Sequence, residues 1–393
     1  MHSGRTVFAQ LIEHLSHPVF QQCVARYGGN HRVRRFSCWD QFLVMAFAQL
    51  TYRESLRDIE ACLRAIPQRL YHAGIRSPIS RSTLADANER RDWRIYQDFA
   101  TTLIAEARTL YAGDPFGVEV RETVFAFDST MIELCLGLFP WATFKQQQGA
   151  VKLHTLLELS GRIPTVVHLT EGCVHDVRLL DALIPEPGAI YVFDRGYLDF
   201  GRLYALAQAP ATFVVRARKR HDFRRVGSRP VDRSTGLVCD QTISLNSFYP
   251  ARSYPDQLRR IRLTSHVPHR PTARHLTLLT NNFVLSAWTV TELYRCRWHV
   301  ELFFKWIKQH LRITAFYGTS PNAVKTQVWI ALTVYVLVAI VLKRLGIGRD
   351  RYSVLQILSL TLFEKVPLVQ ILTEFPVPSE TGEEHNQLLL FDF

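Results

Sequence analysis

The chain has 393 residues, with 47 Lys and Arg against 35 Asp and Glu, a formal charge of +12. Hydrophobic residues at 47%, charged residues at 21% and ordinary Gly and Pro counts (19 and 18) exclude a disordered, collagen-like or low-complexity protein and leave room for two or three folded domains. The positive surplus points to a polyanionic partner, because Lys and Arg displace its condensed counterions, although charge alone does not separate DNA from RNA or anionic lipid.

From the start to about residue 112 the periodicity is helical: Trp39–Leu50, Ser55–Ile66 and a long stretch from Ser82 towards Leu110 repeat apolar residues at spacings of three and four. This reads as a separate all-α N-terminal domain. Its basic cluster His31–Arg35 and the N-cap run Ser80–Thr83 suit a helix-turn-helix on a phosphate backbone, and a solvated bundle with basic edges explains them equally well.

Gly113–Phe116 is turn-rich and marks a boundary. Strand patterns follow at Val124–Phe127, Val151–Leu159, Thr165–Leu169, Ala189–Phe193 and Thr212–Val215, with Leu179–Ile184 as part of a helix between two of them. This order predicts a mixed sheet with helices packed on it. Residues 216–283 read as short strands and loops, too long for a simple loop and suited to a β-rich insertion. Helical periodicity returns from Ser286 to about Ile313 and from Pro321 to Leu345, and a polar tail begins near Pro376. The longest apolar run, Val328–Leu342, is short of the roughly 20 residues a bilayer needs and reads as a buried core helix. No secretory signal is visible, and seven scattered Cys without a Cys-x-x-Cys pair read as reduced thiols, so a cytoplasmic, non-membrane protein is expected.

Two apolar strands each finish on a carboxylate, Asp128 and Asp194. Ligands bind at strand ends in sheets covered by helices, so the two can converge, although an Asp also starts many turns. A third element adds to them. On a helix spanning Tyr294–Lys308, Tyr294, Arg297, Glu301 and Lys308 lie at about 0°, 300°, 340° and 320°, opposite an apolar stripe. An exposed face with an Arg297–Glu301 pair explains such charges too, but it does not predict the upstream aspartates. Asp128, Asp194 and Glu301 form a set able to hold two Mg²⁺ ions about 3.5–4 Å apart, the arrangement that activates an attacking oxygen and stabilises a leaving one.

The spacing Tyr294-x2-Arg297-x3-Glu301-x6-Lys308 resembles the Tyr-Arg-Glu-Lys signature of bacterial insertion-sequence transposases of the Asp-Asp-Glu type. Asp194-Arg-Gly-Tyr197 is similar to that family's second-aspartate motif, and Phe127-Asp-Ser-Thr130 to its first. The resemblance runs from the helical N-terminal region to roughly residue 345. It implies an α/β ribonuclease H-like catalytic core (113–345), a mixed sheet flanked by helices, containing the β-rich insertion. The interval of 107 positions from Asp194 to Glu301 has room for that insertion. The all-α DNA-binding domain (1–112) would precede this core, and a C-terminal helical segment and tail (346–393) would follow it. It further implies Asp128, Asp194 and Glu301 as catalytic metal ligands for two Mg²⁺, with Mn²⁺ as substitute, and Tyr294, Arg297 and Lys308 as phosphate contacts.

The expected activity is metal-dependent cleavage at terminal inverted repeats and joining of the 3′-OH ends to target DNA, by a nucleoid-associated homodimer on paired double-stranded ends. The alternative is a catalytically silent, transposase-derived DNA-binding protein. The basic run Arg216, Arg218, Lys219 and Arg220, with Arg224 and Arg225, reads as a DNA groove or a solvated loop. Lys152 and His154 resemble a family segment with no role beyond a phosphate contact. His175–Asp176 reads as structural rather than as a metal pair, and Trp288 and Trp298 as base-stacking or packing residues.

Overall fold

The computed structural model describes residues 4–75, 78–145, 148–218, 222–265, 274–310 and 316–373. The chain divides into two compact units. One is drawn from the described residues of Met1–Ala112, Met131–Val151 and Phe303–Pro378, the other from Gly113–Thr130 and Lys152–Leu302.

The first unit is built around the helix Pro321–Arg344, whose residues Val328–Leu342 are all buried. Its 24 residues are long and apolar enough to span a bilayer by composition, but 94% of that apolar window is buried within the protein. A helix hydrophobic on every side needs neighbours on every side, and here Cys38–Leu50, Arg81–Arg90 and Arg94–Tyr111 supply them. Cys38–Leu50 starts with a capping box between Ser37 and Asp40. The stretch expected to run unbroken from Ser82 towards Leu110 is two helices. Arg91 is extended between them, and Asn322 closes the gap by donating to Asn88 and Arg91 carbonyls and accepting from the Trp93 N–H. Ser80 caps the first of the pair, accepting from Thr83 N–H.

The strands are β1 (Val124–Leu134), β2 (Thr143–Lys145), β3 (Gln148–Glu158), β4 (Ile163–Glu171), β5 (Ile190–Phe193), β6 (Thr212–Arg216), β7 (Phe223–Arg229), β8 (Leu237–Leu245), β9 (Leu258–Ser265) and β10 (Arg274–Thr280). They form one mixed sheet in the order β2-β3-β1-β5-β6-β10-β9-β8-β7, with β4 also on β3. β1, β5 and β6 are parallel, with Val124–Phe127 opposite Ile190–Phe193 and these opposite Thr212–Val215. Both faces of this core are covered, which is why these segments read as continuous apolar runs. Phe125, Tyr191, Phe193 and Phe213 are fully buried in it, with the helix Phe200–Gln208 contributing Leu203 and Leu206.

Two features differ from the sequence expectation, the extent of β1 and the segment around Leu179, and a third adds to it. β1 does not stop at Asp128 but runs on to Leu134; what ends there is its pairing with the shorter β5. The stretch expected to be β-rich holds four strands between residues 223 and 280, and they extend the main sheet through β10 on β6. Leu179–Ile184 is not a regular helix; a short helical turn covers Asp176–Ala182 instead.

A buried ion pair ties the extension to the segment before the next helix. Arg259, 2% exposed, donates to both oxygens of Asp240 (2.9 and 2.7 Å) and to the carbonyls of Asn282 and Leu285. Asn282 in turn accepts from the N–H groups of Val284 and Leu285, just before Ser286 caps the helix Ala287–Cys296. Arg259→Met would strand the Asp240 charge and is expected to cost about 3–5 kcal/mol in a urea melt, with Asp240→Leu added to it recovering most of the loss.

Candidate active site

The register of β1 on β5 decides the site. Phe127 lies opposite Phe193, so Asp128 and Asp194 stand side by side where the parallel pairing ends, Asp194 just past β5 and Asp128 within the longer β1. Parallel strands place their carboxyl ends together, which antiparallel neighbours would not do. Ser129 N–H donates to Asp128 Oδ1 at 2.8 Å, and Asp194 opens the short turn Arg195–Tyr197.

The third carboxylate comes from a broken helix. The segment expected as one helix through Tyr294–Lys308 is two, Ala287–Cys296 and Trp298–His310, meeting at Arg297. There the N–H of Arg297 reaches the Tyr294 carbonyl and that of Val300 the Arg297 carbonyl, so the spacing tightens from four residues to three. Arg297 is 7% exposed and donates to Asp128 Oδ2 (2.9 Å) and Glu301 Oε1 (2.5 Å). Tyr294, 1% exposed, donates its hydroxyl to Asp194 Oδ1 at 3.1 Å. All three carboxylates are therefore tied to one short segment, two through Arg297 and one through Tyr294.

The electrostatics follow from the burial. Asp128 is pushed up to about 6, first by burial and further by Glu301 and Asp194, against the opposing pull of Arg297 and the Ser129 N–H. Burial also raises Tyr294 to about 12, partly offset by Arg297 and by nearby Arg216, with Asp194 adding to the rise. Burial opposes the Arg297 charge, but Tyr294, Asp128 and Glu301 outweigh it and hold the guanidinium protonated. Its Nε has no hydrogen-bond partner among the described residues.

The other residues singled out in the sequence lie in varied settings. Lys308 is half-buried and donates to the Met131 carbonyl at 2.7 Å. Arg216 ends β6, Arg218 is exposed just beyond it, and Lys219 and Arg220 lie outside the described residues. Arg224 and Arg225 are exposed on β7, at the edge of the sheet. Trp288 is partly exposed beneath the Arg295 guanidinium, 5.2 Å from its ring centre. Lys152 and Asp176, weak signals in the sequence, form an ion pair at 3.1 Å, and Asp176 also accepts from the Ser129 hydroxyl. Tyr197, which closes the Asp194-Arg-Gly-Tyr segment, is 2% exposed and packs on Phe127 and Phe193.

The donor set is three carboxylates, the hard oxygen ligands that Mg²⁺ and Mn²⁺ accept, and desolvation raises Asp128 despite Arg297 beside it, so the residues fit a divalent cation in kind. Among the described residues no three His, Cys, Asp or Glu side chains are gathered into a ready metal cage. Between Asp128 and Glu301 stands the Arg297 guanidinium.

A transposase DDE domain matches residues 120–337, and a domain of unknown function matches residues 3–76. A Sinorhizobium fredii protein named as a transposase, y4zB, is 33% identical over 273 residues, covering 67% of this chain and 72% of its own. A Geobacillus stearothermophilus protein named as a transposase for insertion sequence element IS5377 is 28% identical over 211 residues, covering 53% and 54% of the two chains. Among solved structures, a piggyBac transposase in a synaptic complex with hairpin DNA aligns with a TM-score of 0.48 at 11% identity, over 96% of this chain and 88% of that one, a likeness too loose to argue from. The chain belongs to the DDE-domain transposases of insertion sequences, and so to a family of transposition enzymes.

A carboxylate whose folded pKa lies above its unfolded value of 3.8 favours the folded state when protonated, so stability is lost as pH rises from about 4 through 6. Asp128→Asn, which stays neutral, is therefore expected to melt about 5 °C above wild type at pH 7.5 in EDTA, the gap narrowing to about a third of that by pH 4.5. A gap that does not change with pH would show that Asp128 ionises normally.

Proposed function

We propose that this transposase binds the terminal inverted repeats of its own element, cuts at their ends and joins the freed 3′-hydroxyls to target DNA. The observation that carries this reading is the alignment of Asp128 and Asp194 on adjacent parallel strands, with Glu301 joined to Asp128 through Arg297. In this reading the sheet is the core of a ribonuclease H-like domain, and Tyr294, Arg297, Glu301 and Lys308 are the family's Tyr-Arg-Glu-Lys signature.

Asp128, Asp194 and Glu301 would hold the divalent ions, two Mg²⁺ or Mn²⁺ in place of it, which when bound supply Lewis-acid stabilisation and a nucleophile usable at neutral pH. The chain's own residues do the rest. Tyr294 fixes the rotamer of Asp194, and Arg297 keeps Asp128 and Glu301 from repelling each other before substrate arrives. Their positions beside the carboxylates suit them to a scissile phosphate, Arg297 as a planar donor fork and Tyr294 as a single hydroxyl. Water attacks the phosphorus at the element end and the 3′-oxygen leaves. That 3′-hydroxyl then attacks a target phosphodiester in the same site. Both are in-line displacements needing no covalent enzyme intermediate, and positioning supplies much of the rate.

Arg216, Arg218, Lys219 and Arg220 would line the DNA path, and the helical N-terminal region would carry further DNA contacts, on a homodimer pairing two ends. The +12 charge agrees with such a partner.

With Mg²⁺ and a duplex carrying the repeat that flanks its reading frame, the wild type is expected to cut at the repeat boundary. Glu301→Ala should lose cleavage while binding the end within about threefold of wild type. Cleavage by that variant would remove Glu301 from the catalytic set, and binding without cleavage by the wild type would reject the catalytic reading. Lys308→Ala should weaken end binding and flatten the salt dependence of log Kd by about 0.9, one phosphate contact; an unchanged slope would assign Lys308 to the Met131 carbonyl alone.

A further inference from the structure

Two sequence segments left unused by this chemistry meet beside Asp128. Asp176 Oδ1 accepts from the Ser129 hydroxyl at 2.8 Å and from Lys152 Nζ at 3.1 Å. Lys152 also donates to the Val174 carbonyl at 2.9 Å, and its side chain is only 13% exposed. Ser129 follows Asp128 in the chain and holds Asp128 Oδ1 through its own N–H. The contacts thus run without a gap from Lys152 through Asp176 and Ser129 to Asp128.

The usual roles do not account for Asp176. It stands in the first turn of Asp176–Ala182, yet no side chain caps that turn, and its carboxylate is aimed at Ser129 instead. His154, fully buried 3.8 Å away, bonds Thr170 and is held neutral, burial lowering it to about 4, so Lys152 is the countercharge of Asp176. The place also matters. Pairing of β1 with β5 ends at Phe127, leaving Asp128 without a strand neighbour on that side.

We propose that Asp176 is a positioning residue: with Lys152 as its countercharge it anchors the Ser129 hydroxyl, and through Ser129 it fixes the backbone and rotamer of Asp128. This rests on the reading of Asp128 as a catalytic carboxylate. Partners one contact behind a ligand typically change metal affinity or activity by 10–100-fold when removed.

The acceptor oxygen and the charge can be separated. Asp176→Asn with Lys152→Met removes both charges and keeps an oxygen for Ser129, whereas Asp176→Ala with Lys152→Met removes the oxygen too. In single-turnover cleavage of the element-end duplex with saturating Mg²⁺, the Ala pair should slow by about 30–100-fold, and the Asn pair should recover at least about tenfold of that loss. Adding Ser129→Ala to the Ala pair should cost nothing more, because the two act through one contact. Mn²⁺ titration followed by electron paramagnetic resonance should show about tenfold weaker binding in the Ala pair alone, with DNA affinity unchanged.

An Ala pair that cuts like wild type, or an Asn pair as slow as the Ala pair, would overturn the proposal. Should the Ala pair fail to fold, Ser129→Ala alone decides, since full activity there also overturns it. Asp128→Ala is assayed alongside: cleavage by that variant would reject the underlying reading of the site rather than the role of Asp176.

Discussion

Carboxylates taken out of water need a countercharge, and here it is the guanidinium of Arg297, donating to Asp128 and Glu301 from a position only 7% exposed. Most other features of the site follow from accommodating that group. Two helices meet at Arg297, whose backbone stays helical, and Glu301 lies one turn further on. Tyr294, on the preceding turn, reaches Asp194. Even with Arg297 beside it, desolvation keeps Asp128 above the usual carboxylate range.

The scaffold under these side chains is rigid for separate reasons. Three parallel strands buried on both faces fix where Asp128 and Asp194 emerge, because a shift of one residue would turn Phe127 and Phe193 out of the core. On the other side, the antiparallel extension anchors the approach to the helix Ala287–Cys296 through Arg259 and Asp240. A buried pair of this kind adds little net stability, but it admits only one geometry, and that geometry sets where the helix carrying Tyr294 begins.

Much of this was legible in the sequence. The apolar runs at 124–127, 189–193 and 212–215 are the strands of the parallel core, since strands buried on both faces carry no polar alternation to blur them. The buried helix around Val328–Leu342 was equally plain. Helix continuity was not: the breaks at Arg91 and Arg297 involve residues that are good helix formers, and at the first of them the tertiary partner Asn322 lies more than 200 positions away. Asp176 and Lys152 looked unremarkable because their meaning lies in each other and in Ser129, separated by 24 and 47 residues.

By itself the sequence determined which segments are apolar, where strands alternate with helices, and that Asp128, Asp194 and Glu301 each follow or lie within an element able to carry them, because burial patterns and spacing are local properties. Only the tertiary structure decided that β1 and β5 are neighbours in a register that aligns two aspartates, that residues 223–280 prolong the same sheet, and that Arg297 turns inward to the carboxylates. Those outcomes depend on which distant groups share a buried volume and must neutralise one another there, and no local pattern in the chain encodes that.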